Sequence, residues 1–153
     1  MTTFAAAQES LYDEVKLLIS SLVPNKYEEV KFGFIAMENR DAQSFPGTSR
    51  RARLCDLDMD ATIMQRWDYV GAGALGVTVE YPLRIAYPRA PGWQDAMTDD
   101  TFCIQAKMWA NPSTTSGVQL RTISDIKTPV RNEMDPWTMA IMTLRVVYEI
   151  TPT

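Results

Sequence analysis

Between Ala5 and Leu22 the apolar residues Leu11, Val15, Leu18 and Leu22 recur at the i, i+4, i+7, i+11 spacing of one helix face, with Tyr12 and Ile19 beside them. Thr2 or Thr3 is placed to cap this helix, and Pro24 stops it. The period then changes to two. Val30, Phe32, Phe34 and Ala36 alternate with Lys31, Gly33 and Ile35, the pattern of a strand with one buried face.

Residues 50–57 (RRARLCDL) predict a second strand; residues 58–74 are ambiguous, with a further strand possible over 62–69. From Gly76 to Tyr87 the alternation is firm: Val77, Val79, Tyr81, Leu83, Ile85 and Tyr87 share one parity. Pro82 interrupts that run, which predicts a sheet edge or a bulge because proline has no donor for the ladder. After a turn-rich link over residues 89–97, Thr98 predicts the cap of a second helix ending at Ala110, with Asp99 and Asp100 in its first turn. Phe102, Ala106 and Trp109 mark its apolar stripe, with Ile104 and Met108 on the flank. Strands follow over residues 118–126 and 137–151. The last has apolar residues on both faces, so it is expected to be covered on much of both sides.

The order is helix, two or three strands, helix, two strands. No β-α-β alternation occurs, which leaves an α+β fold: a mainly antiparallel sheet with both helices packed on one face. The length of 153 residues suits a single domain spanning residues 1–153. No apolar run reaches the ~18 residues that predict a transmembrane helix, and the N-terminus does not read as a secretory signal.

Composition narrows the chemistry. There is no histidine, which removes the commonest general base and the commonest metal ligand. The formal net charge of −4 argues against a protein that grips nucleic acid through its phosphates. Cys55 and Cys103 read as reduced, partly buried thiols, which fits a reducing compartment such as cytoplasm.

Three patterns imitate functional motifs. GAGALG (residues 71–76) has the glycine spacing of a dinucleotide-binding loop, but an alternating, proline-containing run follows where a helix is required. A hairpin or loop between strands is the simpler reading. Asp56, Asp58 and Asp60 match the first ligands of a calcium loop, yet Ala61 and Trp67 stand where glycine and glutamate are needed. A solvated acidic turn accounts for them, and no cofactor or metal is assigned. Arg50, Arg51 and Arg53 are the densest basic cluster. They suit either a strand edge protected from aggregation or a partner contact. Trp67, Trp93, Trp109 and Trp137 are expected as core or interface anchors rather than as a base-stacking platform.

The element order resembles the tail terminator and tail-completion (head–tail joining, neck) proteins of long-tailed bacteriophages. The resemblance is carried by the N-terminal helix SLYDEVKLLISSLVP, the late helix TDDTFCIQAKMWA and the closing strand WTMAIMTLRVVYEIT. It implies a structural virion protein, not an enzyme, made in the host cytoplasm. Such proteins look like α+β domains that assemble as a six-membered homo-oligomeric ring. The ring caps the tail tube and docks to the neck or connector protein, and DNA passes through it without specific binding. The loops at residues 37–49 and 127–136 offer material for such contacts. Arg50, Arg51, Arg53, Met134, Pro136 and Trp137 are the candidate oligomer or partner contacts. Residues 58–76 form a longer connection than the resemblance requires. That length leaves open a related neck role, such as a head-completion or stopper protein. Two further alternatives are a tail tube subunit, usually a barrel of two sheets, and a small-molecule-binding α+β domain or unrecognised enzyme, which needs a deep pocket.

Overall fold

The computed structural model describes residues 3–20, 31–34, 52–59, 62, 64–71, 73–88, 93–127 and 137–151. These residues form two helices and six strands: α1 (Phe4–Ser20), β1 (Lys31–Phe34), β2 (Ala52–Leu57), β3 (Met64–Gly71), β4 (Ala74–Pro88), α2 (Trp93–Ala110), β5 (Val118–Lys127) and β6 (Trp137–Ile150). The ambiguous segment thus contains a strand, Met64–Gly71, two residues later than 62–69, and four strands precede α2 among the described residues.

The sheet runs β1-β2-β4-β6-β5, with β3 also paired to β4. Its spine is the long antiparallel pair of β4 and β6, in register from Leu75 opposite Ile150 to Pro88 opposite Trp137. All pairings are antiparallel except that of β1 with β2. The fold is α+β with a mainly antiparallel sheet, as the order of elements predicted.

One parity of each central strand forms the core. Val77, Val79, Tyr81, Leu83, Ile85 and Tyr87 of β4 lie beside Ala140, Met142, Leu144, Val146 and Tyr148 of β6, all fully buried. Both helices pack on this face, since their buried residues belong to the same cluster. In α1 these are Ala7, Leu11, Val15 and Ile19, an i, i+4 series; Leu18 lies on its flank and Leu22 is outside the described residues. Leu11, Val15 and Ile19 each stabilise the fold by roughly 1.5–3 kcal/mol when fully buried. Thr3 caps α1, its Oγ1 accepting the Ala6 N–H at 3.2 Å.

No helix covers the opposite face of β6 among the described residues. Met139, Ile141, Thr143 and Val147 there are half-buried and Arg145 is exposed. That is less cover than the apolar composition of the strand predicted.

Pro82 lies inside the central strand β4, and the reason is local. Among the described residues the ladder along one edge of β4 breaks there: Leu57 of β2 is opposite Leu83, and Met64 of β3 is opposite Glu80. In an extended strand a residue presents its N–H and C=O to the same edge. The Pro82 carbonyl accepts the Asp58 N–H at 3.0 Å, so its missing donor also faces the break, where the ladder makes no demand on it.

GAGALG is the β3–β4 hairpin, with Gly71 opposite Ala74 and Gly73 at φ 78°. No helix follows it. Asp58 pairs with Arg84 at 3.5 Å, Asp60 is outside the described residues, and no cluster of metal-ligating side chains occurs among the described ones. Cys55 and Cys103 are not joined in a disulfide, and are buried and half-buried respectively.

Candidate assembly surface

Helix α2 departs from expectation in two ways. It begins at Trp93, immediately after the Pro91-Gly92 pair, so Thr98 is inside the helix and does not cap it. The Thr98 hydroxyl instead donates to the Gln94 carbonyl at 3.1 Å, and Asp95 is the acid in the first turn.

The second departure is the face that α2 buries. Ala96, Asp100, Thr101, Ile104 and Met108 point inward. The expected stripe points outward: Phe102 is 69% exposed, Trp109 is 88% exposed, and Ala106 lies between them, also exposed. The two polar residues on the inner face explain the inversion. Asp100 accepts the Tyr87 hydroxyl at 3.0 Å, and the Thr101 hydroxyl donates back to the Met97 carbonyl at 2.8 Å. Both are satisfied inside, so the inner face need not be uniformly apolar.

The outer face of α2 is held in place by a polar knot at its C-terminus. Arg121 of β5 is buried and donates to the Asn111 carbonyl and the Met108 sulfur. A cation beside the carbonyls that end a helix is favourably placed. Arg121 Nε also donates to Glu14 Oε2 of α1 at 2.9 Å. Glu14 further accepts from the Thr114 amide at 2.7 Å and the Ser113 hydroxyl at 2.8 Å. Burial pushes the Glu14 carboxyl up, but these hydrogen bonds and the Arg121 charge outweigh it and hold the group below its ordinary range. One carboxylate and one guanidinium thus fix α1, the α2–β5 connection and β5 together.

Between α2 and β5 lies an open groove of about 390 Å³, with Phe102, Ala106 and Trp109 on the helix side and Thr122 and Ile123 on the strand side. β5 ends the sheet order, so its far edge has no strand partner among the described residues. Leu120, 55% exposed, lies further along the same strand. A single exposed apolar residue is ordinary, but two aromatic rings spaced i, i+7 beside an open strand edge form a contiguous patch. Each such ring buries ~150–250 Å² when covered. The arrangement is suited to receiving another polypeptide; the groove is open rather than the enclosed cavity that holds a small molecule.

The candidate contacts from the sequence are distributed differently. Arg50, Arg51, Met134 and Pro136 lie outside the described residues, as do residues 37–49 and 128–136. Arg53 is on β2 opposite Phe32, and Trp137 opens β6 opposite Pro88. Leu54 is opposite Ala86, so Arg53 and Trp137 flank β4 at the same end of the sheet. Of the four tryptophans, Trp109 and Trp67 are exposed at opposite margins of the sheet. Among the described residues no helix is long and apolar enough to cross a membrane.

No protein-family model and no curated protein matches the chain. Among solved structures, a chain from the virion of a native gene transfer agent particle is similar to it, at 13% identity and a TM-score of 0.49. The similarity covers 95% of this chain and 93% of that one; at this level it carries no functional inference.

Proposed function

We propose that this chain is a structural, non-enzymatic virion protein that forms a homo-oligomeric ring at the head–tail junction of a phage-like particle, capping the tail tube and joining it to the neck. The observation that carries the reading is the outward aromatic face of α2, Phe102 and Trp109, lying beside the open edge of β5. A ring of identical subunits needs such a surface, because each copy must bury apolar area against its neighbour. The element order behind the resemblance supports the same reading. Two helices of 17 and 18 residues over one sheet favour a terminator over a tube subunit built as a two-sheet barrel.

Arg53 and Trp137, at one end of the sheet, are the proposed contacts to the tube or neck. The net charge of −4 suits a ring through which DNA slides without being held. The test is native mass spectrometry at several concentrations, followed by particle imaging alone and with purified tail tubes. A closed ring, alone or on the tube end, supports the reading. A monomer that also ignores tail tubes contradicts it.

A further inference from the structure

Resting on the ring reading, we infer that the groove between α2 and β5 receives the β3 edge of the next copy of this chain, with Trp67 as the inserted anchor. A head-to-tail contact needs two different patches on one molecule, whereas a two-fold contact needs only one. The described surface offers two. The first is the groove with Phe102 and Trp109. The second is β3, which among the described residues pairs only with β4 and carries Gln65, Arg66, Trp67 and Asp68 in a consecutive exposed run.

Trp67 is 56% exposed, and Phe4 of α1 supports its ring at a centroid distance of 6.0 Å. The indole is thus partly fixed before any partner arrives, which lowers the ordering cost of binding. The placement of the two patches also agrees with ring closure. β3 and β5 lie on opposite sides of the β4–β6 spine. Trp67 is opposite Val77, so it projects from the same face of the sheet as the helices. Docking β3 of one copy beside β5 of the next therefore keeps the helical layer on one side throughout.

The areas agree as well. Phe102 and Trp109 at their exposures present roughly 300 Å² of aromatic surface, from ~150–250 Å² for each fully covered ring. With the rest of the groove and the backbone edge of β5 added, this is a large part of the ~800 Å² per side of a standard interface. Two-fold pairing through the groove would instead place Trp109 against Trp109 and leave the β3 edge open.

The test is complementation between Trp67→Glu and Trp109→Glu, each purified separately and read by native mass spectrometry. Trp67→Glu keeps an intact groove, and Trp109→Glu keeps an intact β3 edge. Each alone is expected to lose the ring; mixed, they are expected to form a 1:1 dimer that grows no further. A ring that survives Trp67→Glu, or no mixed dimer at the concentration where the wild-type ring is complete, overturns the inference and leaves the ring reading standing. A wild-type chain that never assembles, even on tail tubes, overturns both. Hydrogen exchange on the wild type covers the case of a variant that fails to fold. Amides of residues 64–71 and 118–127 must both gain protection on assembly, and protection of only one segment overturns the inference.

Discussion

Arg121 Nε on β5 donates to Glu14 Oε2 on α1 across 2.9 Å, with the arginine side chain 1% and the glutamate side chain 15% exposed. Removing the carboxylate strands a buried guanidinium, which costs about 3–5 kcal/mol. Glu14→Ala is therefore expected to lower the denaturant midpoint more than any single surface substitution. The double variant Glu14→Leu/Arg121→Met should recover most of that loss, since an apolar pair of similar volume replaces an ion pair at little cost. Urea titrations of the three proteins check the order.

The same pair sets a pH dependence. The folded-state pKa of Glu14 is lowered, so its contribution is fully present above the unfolded glutamate value of ~4.3 and is lost as pH falls through the folded value. Melting temperatures from pH 6 to pH 3 should fall less steeply for Glu14→Gln than for the wild type. Equal slopes would show that Glu14 contributes nothing to acid sensitivity.

Tyr81 and Tyr148 bring their hydroxyls to 3.0 Å within the core, and Gln8 Nε2 donates to Tyr81 at 2.8 Å. Burial pushes both phenols up, and the hydrogen bond to Tyr81 raises Tyr148 further. Their stabilising effect is present below the unfolded value of ~10 and is lost as pH rises toward their raised folded values. In an alkaline absorbance titration, these two of the six tyrosines should ionise only with unfolding. Tyr148→Phe should cost about 1 kcal/mol, the typical net worth of a hydrogen bond.

The two faces of α2 give opposite mutational responses. Ile104→Ala empties a fully buried site and should cost about 2–5 kcal/mol. Phe102→Ala, on the exposed face, should change monomer stability by no more than about 0.5 kcal/mol while weakening assembly. Thermal melts at a concentration below assembly separate the two effects.

The contrast between α1 and α2 shows how far the sequence can be read. The inner face of α1 is uniformly apolar, so its period identifies the element and most of the side that is buried. β4 and β6 are legible for the same reason: one parity of each is apolar and fully buried. In α2 the apolar residues are spread around the axis. Asp100 and Thr101 point inward because Tyr87 and the helix backbone satisfy them, contacts that exist only after folding. Phe102, Ala106 and Trp109, the most regular apolar series in that helix, are outside. The surface best suited to assembly is therefore visible in the sequence as an apolar stripe, but the sequence does not distinguish a stripe covered by the core from one covered by a partner. The parallel pairing of β1 with β2 left no trace in the alternation, because period two is the same for either direction.

The most direct measurement of the central claim is sedimentation velocity of the wild type beside Phe102→Ser/Trp109→Ser, at matched concentrations and with melting curves recorded in parallel. The account predicts a ring-sized species for the wild type and a monomer for the variant, with melting temperatures that match when both are measured at a concentration below assembly. Equal sedimentation of the two proteins would contradict it, and would remove α2 and β5 from the assembly surface.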